Sequence, residues 1–164
     1  LAPYSYFNAV ADEPPQVMFC SNGSSTHGKY KDSLSNILFT KEFVVNFATS
    51  ATRNQMNTTS KYFDPNKDEF FFAKLKKKKS KLVEAPSVEN SPVNLECKLL
   101  KTIKLKSKSK QISTMVIGEV IGIYINDKYI KEDKIDSISM SYIARMGYSE
   151  YTKVSNKFKL KRKE

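Results

Sequence analysis

The sequence predicts a mainly β domain, an antiparallel barrel with a few short helices, and two long patterns carry that prediction. Apolar and polar residues alternate strictly over Val93–Leu99, and the alternation resumes at Ile103 and Leu105, as in a strand with one buried face. Met115–Ile125 is apolar on both faces apart from Glu119, which is typical of a strand covered on both sides or lying at an interface. Repeated short strands separated by turn residues favour a barrel.

Shorter segments complete this pattern along the chain. Three further strands are predicted at Tyr4–Val10, Val17–Ser21 and Phe43–Phe47. A Glu-Pro-Pro sequence at residues 13–15 supplies the turn between the first two strands. Two short helical segments are predicted within Ala51–Ser60 and at Asp136–Ile143.

Length and composition fit a single domain. At 164 residues the chain is long enough to bury its own core, and no apolar stretch approaches the ~20 residues of a membrane-spanning helix. Cys20 and Cys97 stand alone within apolar strand patterns, which indicates reduced thiols rather than a disulfide framework or a metal site. No secretory signal is recognisable at the N-terminus, so we expect a cytoplasmic protein without membrane association.

The net charge of +11 suggests nucleic acid at first sight, but its distribution argues against a specific nucleic-acid partner. Nearly all the positive charge is lysine, whereas base recognition favours arginine, and the chain has only Arg53, Arg145 and Arg162. The lysines concentrate at residues 74–81, 101–110 and 157–163. We expect these stretches to be solvated surface that attracts anionic partners weakly.

One segment has the features of an anion site. Leu34, Ile37 and Leu38 recur at helical spacing after Lys31-Asp32-Ser33, and Asp32 or Ser33 is well placed to cap the helix that follows. Free backbone N–H groups, a hydroxyl and an ammonium would then converge where a phosphate could bind. The alternative is an ordinary helix start that binds nothing. The preceding Ser/Asn/Gly/Thr stretch at residues 21–26 adds hydroxyls, beginning with Ser21, and makes phosphate binding plausible.

Longer sequence blocks carry a resemblance to a known family. They lie at residues 2–10, 14–19, 31–37, 42–46, 68–70, 91–99, 118–120 and 144–151. In residue types, order and spacing they resemble the flavin reductase-like, FMN-binding split-barrel family over about Leu1–Tyr151. We therefore expect a split-barrel domain at residues 1–156 and a basic tail at 157–164. Two features depart from the family: Ala11 stands where many relatives have serine, and the chain opens inside a strand, so the usual first strand is expected to be missing.

The resemblance implies FMN as the cofactor and a set of binding residues. The segment Lys31, Asp32 and Ser33, helped by Ser21, would hold the phosphate. Ser5 and Asn8 would lie along the isoalloxazine, or alternatively bond only to neighbouring strands. Asn36, one turn beyond Ser33, could face the same pocket or solvent. Arg145 would stabilise negative charge on reduced flavin or lie at a dimer interface, unless it makes only a surface ion pair.

The same resemblance implies an activity and partners. NADH or NADPH would donate a hydride to flavin N5, although a G-x-G-x-x-G dinucleotide motif is absent from the sequence. A homodimer is expected from the family and from the two apolar faces of Met115–Ile125, and a partner monooxygenase could receive the reduced flavin. The alternatives are a tight FMN-binding protein that acts on a non-flavin substrate, and a non-catalytic barrel that binds anions or nucleic acid.

Several other chemistry-bearing residues receive simpler interpretations. His27, the only histidine, lies in a Ser/Thr/Gly loop and is a weak catalytic candidate. Glu96 and Glu119 could suggest a carboxylate pair, but Glu96 sits on the polar face of an alternating strand among lysines, which favours cross-strand ion pairing. The run Phe70-Phe71-Phe72 is expected to pack in the core rather than to stack on a cofactor.

Overall fold

A computed structural model describes residues 1–24, 30–64, 66–108 and 111–161. The strands are β1 (Phe7–Asp12), β2 (Pro15–Asn22), β3 (Glu42–Asn46), β4 (Lys77–Lys78), β5 (Ser87–Val88), β6 (Val93–Leu105), β7 (Ser113–Ile125), β8 (Ile130–Lys131), β9 (Lys134–Ile135), β10 (Ile143–Gly147) and β11 (Glu150–Lys153). The α-helices are α1 (Asp32–Thr40), α2 (Arg53–Thr58) and α3 (Glu69–Phe72), and 3₁₀ turns lie at Ser50–Thr52 and Asp127–Tyr129.

The main sheet has five strands in the order β1-β2-β7-β6-β3, and every neighbouring pair is antiparallel. In the described part of the chain this sheet is not closed, which makes the fold a split barrel of mainly β structure, as predicted. The five long strands predicted from the sequence are all present, with bounds shifted by one to three residues for most of them. Val93–Leu99 and the continuation through Leu105 form one strand, β6.

The core lies on the inner face of this sheet, where helix α1 covers it. Eight residues form the central cluster: Val17, Phe19, Leu34, Ile37, Phe43, Cys97, Val116 and Val120. Burying a side chain such as Leu34 stabilises the fold by roughly 1.5–3 kcal/mol. Gly118 is needed where Phe43 crosses β7, because a Cβ at this position would lie 2.4 Å from the Phe43 ring. Burial raises the pKa of the Cys97 thiol to about 12, and both cysteines are free, as expected.

The polar face of β6 is buried at one end, which corrects the interpretation of Glu96. Its side chain is only 6% exposed, and its carboxylate accepts hydrogen bonds from the backbone N–H groups of Lys81 (3.0 Å) and Leu82 (2.6 Å). Glu96 therefore holds the segment that covers this end of the sheet, and it makes no cross-strand ion pair with a residue that the structure describes. The sequence could not show this, because the covering segment comes from elsewhere in the chain.

Two further expectations are wrong in detail. The predicted helix at Asp136–Ile143 is absent: residues 137–141 form turns, Tyr142 forms a β-bridge and Ile143 begins β10. The Ser139 N–H bonds the Asp136 carboxylate at 3.3 Å, and Ser141 adopts φ +51°, which ends any helical repeat. Of the three phenylalanines on α3, only Phe70 is in the core. Phe71 is 77% exposed and Phe72 43% exposed.

No helix within the described ranges combines the length and apolar character needed to span a membrane.

Candidate flavin site

An open cleft of about 660 Å³ lies beside the start of α1. Its walls come from five parts of the chain: residues 1–5, residues 31–33, residues 53–63, Glu69 on α3, and the hairpin formed by β10 and β11. This volume falls within the range of about 300–1,000 Å³ found for ligand pockets. The cleft therefore has the size of a small-molecule site and draws on segments distant in sequence.

The first wall is the beginning of α1. Helix α1 starts at Asp32, and Lys31 is its N-cap residue, with φ −63° and ψ 149° and no side-chain capping hydrogen bond. Capping by Asp32 or Ser33 is thus wrong, since both lie inside the first turn. Because the first N–H groups of a helix lack intrahelical partners, a start without a side-chain cap offers donors to a bound anion.

Three hydroxyl groups lie together behind this wall. Tyr4 is largely buried, and burial raises the pKa of its hydroxyl, while the facing hydroxyls of Ser33 and Ser21 partly offset that rise. Neither the Tyr4 nor the Ser21 hydroxyl makes a hydrogen bond of normal geometry within the described residues, although Ser21 is only 1% exposed. Buried polar groups are normally paired, and the nearest polar partners of the Tyr4 hydroxyl are those of Ser33 and Ser21; Tyr4 and Ser21 themselves do not line the cleft.

The opposite wall is the β10–β11 hairpin. Arg145 lies on β10, and its Nε and Nη2 atoms donate to the carbonyl oxygen of Tyr148 at 3.2 and 2.7 Å. The Tyr148 side chain is 94% exposed. Arg145 makes no ion pair with a described residue, so the surface ion pair considered as its alternative role is not formed there. Its positive charge belongs to a cleft whose lining also includes the carboxylates of Asp32 and Glu69.

Comparison with known proteins shows which family the chain belongs to. The family model of the flavin reductase-like domain matches residues 1–145. A protein of Aquifex aeolicus is 34% identical over 162 residues, a match that covers 98% of this chain and 80% of that protein.

The chain belongs to the flavin reductase-like domain family.

Solved structures agree with this assignment. Nitrilotriacetate monooxygenase component B from Bacillus cereus matches with a TM-score of 0.87 and 28% identity, covering 97% of this chain and 78% of that chain. Pseudomonas fluorescens 2-nitrobenzoate 2-nitroreductase matches with a TM-score of 0.82 and 26% identity, covering 99% and 76%. A split-barrel domain protein from Shewanella frigidimarina matches in fold, with a TM-score of 0.85, 21% identity and coverage of 99% and 78%.

The structure brings most of the sequence-predicted flavin residues together. Five of them line the cleft: Ser5, Lys31, Asp32, Ser33 and Arg145. Ser21 lies just behind it, facing Tyr4. Asn8 and Asn36 are exposed and do not line the cleft of this chain. His27 lies outside the described residues. Within those residues, no group of three His, Cys, Asp or Glu side chains is arranged to hold a metal ion.

Sequence inspection missed several residues that line the cleft. Arg53 and Lys61 add positive charge, and the aromatic residues Tyr62, Tyr148 and Tyr151 lie along the rim. One sequence feature could have pointed to Arg53 as a binding residue, because arginine is scarce in this lysine-rich chain. The tyrosines had no signal, since only the fold places their segments beside α1.

Proposed function

We propose that this flavin reductase-family chain binds FMN in the cleft and acts as an NAD(P)H-dependent flavin reductase or related oxidoreductase. The observation that carries the proposal is the convergence, in one cleft, of a helix start without a side-chain cap and cationic side chains from distant segments. Charge-assisted hydrogen bonds to a phosphate need this combination of donors.

The residues present fit the cofactor and divide its recognition between them. Lys31, Ser33 and the first N–H groups of α1 would hold the phosphate, with Ser21 and Tyr4 behind them as the unpaired buried hydroxyls. Ser5 would donate to or accept from the flavin ring edge. The negative charge of Asp32 would repel the phosphate, and the positive charge of Lys31 would offset that repulsion. With the roles divided in this way, the wall formed by the start of α1 would supply most of the affinity for FMN.

The opposite wall would supply electrostatics for the reaction. Arg145 carries a permanent positive charge, which would stabilise negative charge as it forms on a reduced ring. When bound, FMN supplies the redox chemistry by accepting at N5 the hydride that leaves the nicotinamide, so that the flavin is reduced and the nucleotide oxidised. The chain itself needs no side-chain nucleophile for this reaction, since binding, orientation and electrostatics are what the protein contributes.

The phosphate assignment is tested by comparing FMN with riboflavin. FMN should bind at least about tenfold more tightly, because each charge-assisted hydrogen bond is worth ~1.5–3 kcal/mol. Lys31→Ala and Ser33→Ala should weaken FMN more than riboflavin. Ser35→Ala, an exposed serine on the same helix and outside the cleft, is the matched control. Fluorescence titration measures the affinity of each of the four proteins for both flavins, and equal affinity of the wild type for FMN and riboflavin would refute the phosphate site.

A second candidate function is kept because of the aromatic rim. Tyr62 and Tyr148 are 71% and 94% exposed beside the cleft, a surface suited to stacking a planar substrate other than free flavin. One similar structure is a nitroreductase, a protein whose substrate is an aromatic compound. Anaerobic addition of NADH and NADPH separates the candidates: bleaching of yellow FMN-loaded protein, followed by release of reduced flavin, supports the reductase. Bleaching without release favours a tightly held cofactor and a non-flavin substrate.

A homodimer is part of the proposal, supported by the outer face of the main sheet. Cross-strand pairing places Met18 beside Ile117 and Cys20 beside Met115 on this face, and Ile103 follows on β6. These apolar side chains are half-buried or exposed within the single chain, and no described element covers them fully. Sedimentation at micromolar concentration should show a dimer, and a monomer that still holds flavin would contradict this part of the proposal.

The remaining parts of the proposal concern organisation and partners. We assign the flavin-binding domain to residues 1–156 and a basic tail to 157–164. A partner monooxygenase is proposed as the recipient of reduced flavin, because one similar structure is the component B of a monooxygenase. The two free cysteines suit a reducing compartment such as the cytoplasm.

A further inference from the structure

A second pocket, of about 330 Å³, lies next to the flavin cleft. Residues 49–53 form one side, residues 139–141 the other, and Tyr129 closes the end. Five of its eight lining residues carry hydroxyl groups: Thr49, Ser50, Tyr129, Ser139 and Ser141. We call it the hydroxyl pocket. Two of these hydroxyls are already bonded within the chain, since Ser139 Oγ donates to the Asp136 carbonyl oxygen at 3.2 Å and Thr49 Oγ1 lies 3.3 Å from Thr52 Oγ1. The hydroxyls of Ser50, Tyr129 and Ser141 can still donate, which suits a polar ligand with acceptor oxygens.

The charge of the hydroxyl pocket favours an anion. Arg53 is its only charged lining residue, and the Arg53 Nη1 atom donates to the Ser50 carbonyl oxygen at 2.7 Å. The Nε and Nη2 donors have no partner within the described residues. Asp136, which binds the N–H of Ser139, is already paired with Lys131 at 2.7 Å. The positive charge of Arg53 is therefore not neutralised locally.

Arg53 also connects the two sites, since it lines both the hydroxyl pocket and the flavin cleft. A planar guanidinium with free donors can bind an oxyanion on one side while its stem forms part of the cleft wall. A molecule anchored by an oxyanion in the hydroxyl pocket would therefore extend across Arg53 toward the proposed flavin ring. Such a molecule needs phosphate groups at one end and a redox-active ring at the other.

We propose that the hydroxyl pocket binds the phosphate groups of the pyridine nucleotide, an assignment that rests on the function proposed above. Arg53 and the hydroxyls of Ser50, Tyr129 and Ser141 donate to phosphate oxygens, while the nicotinamide end reaches the cleft. This would explain how the chain recognises a dinucleotide although it lacks a glycine-rich dinucleotide motif. Arg53 is then a residue that determines specificity for the reductant.

Ser141 offers a matched pair of variants that tests the pocket without altering the flavin cleft, which it does not line. Its φ of +51° is a conformation that Asp and Asn tolerate, so both variants keep the local backbone. Ser141→Asp places a carboxylate in the pocket and should raise KM for NADH or NADPH at least about tenfold, through lost donation and charge repulsion. Ser141→Asn keeps an N–H donor without the negative charge, so it should raise KM less than Ser141→Asp does, and FMN affinity should stay within about twofold in both.

A binding measurement independent of turnover accompanies the kinetics. Titration of FMN-loaded, ¹⁵N-labelled protein with NAD⁺ or NADP⁺ should shift amide signals of residues 49–53 and 139–141, and Ser141→Asp should abolish those shifts. A larger effect with NADP⁺ would assign the pocket to the 2′-phosphate, and equal effects would assign it to the diphosphate.

The outcomes separate this inference from the proposed function. Reduction by nucleotide with unchanged KM in Ser141→Asp and no shifts at the pocket would overturn the pocket assignment and leave the reductase function standing. Shifts at the pocket without reduction of bound FMN would support the pocket and overturn the proposed role of the nucleotide as reductant. Absence of both shifts and reduction would overturn both.

Discussion

The two walls of the flavin cleft differ in how firmly the rest of the molecule holds them. Helix α1 packs Leu34 and Ile37 into the central core, where they are 1% and 5% exposed. The β10–β11 hairpin is mostly exposed. It is joined to the remainder of the chain at its base, through a bridge between Tyr142 and Thr49, a hydrogen bond from the Ile143 N–H to the Ala48 carbonyl oxygen at 3.3 Å, and contact between the Tyr142 and Phe47 rings. The wall proposed to bind phosphate is thus fixed by the core, and the wall proposed to face the flavin ring is lightly held.

This difference has a physical consequence for binding and specificity. A preformed phosphate site loses little conformational entropy when the cofactor binds, so it contributes affinity efficiently. A lightly held hairpin can adjust to different second substrates at small cost in stability, because few buried contacts change. Split barrels with one cofactor and different substrates would be expected to keep the first wall and vary the second.

The largest expected effect comes from loosening the α1 wall. Leu34→Ala should lower the free energy of unfolding by about 2–5 kcal/mol, since it removes a fully buried side chain. Tyr148→Ala, in the hairpin, should change it by no more than about 0.5 kcal/mol. Phe39→Ala is the control on the same helix, because Phe39 is 88% exposed. Urea denaturation measures the free energy of unfolding of all three variants. Comparable losses of stability for Leu34→Ala and Tyr148→Ala would contradict the conclusion that the core holds the α1 wall more firmly than the hairpin.

A smaller effect is expected from the hairpin charge, measured as the midpoint potential of bound FMN. Arg145→Gln removes a cation beside the proposed ring site and should make the flavin harder to reduce, by about 20 mV for a two-electron couple if the charge is worth about 1 kcal/mol. Arg145→Lys keeps the charge but loses the paired hydrogen bonds to the Tyr148 carbonyl, so its potential should stay near that of the wild type. Equal shifts in both variants would show that hairpin geometry, rather than charge, sets the potential.

The difference between features built from local sequence and features built from distant segments also explains which parts of the structure could be predicted from the sequence. The core strands and α1 could be predicted because burial imposes a regular spacing on Leu34, Ile37 and the residues of β6 and β7. The start of α1 could be singled out as a candidate anion site because its residues are consecutive, and phosphate binding there stays a prediction. Arg53 and the hydroxyl pocket were not singled out, since their parts come from separated segments whose meeting depends on tertiary structure. Glu96 was misinterpreted because its hydrogen-bond partners are backbone N–H groups of a segment distant in sequence. A local sequence pattern cannot predict such partners.

The smallest expected effect concerns how α1 is fastened to the sheet. The chain passes directly from α1 through Lys41 into Glu42 on β3, and Glu42 pairs with Lys98 on β6. The hydrogen bond from Lys98, followed by the one from the backbone N–H of Glu84, holds the pKa of Glu42 below its usual value of 4.5. Because this pKa is lowered in the folded state, the pair stabilises the protein above pH 4.5, and the stabilisation is lost as the pH falls through the lowered value.

Glu42→Gln should therefore reduce the free energy of unfolding at pH 7 by no more than about 1 kcal/mol, the range for ion pairs with exposed partners. The difference from the wild type should shrink as the pH is lowered toward 3, where the wild-type carboxylate is increasingly protonated. Glu89→Gln, an exposed carboxylate without a described ion pair, is the control and should show neither effect. Urea denaturation at both pH values gives the comparison. A loss for Glu42→Gln that is the same at pH 3 as at pH 7 would mean that Glu42 supports the α1 wall through packing and not through its charge.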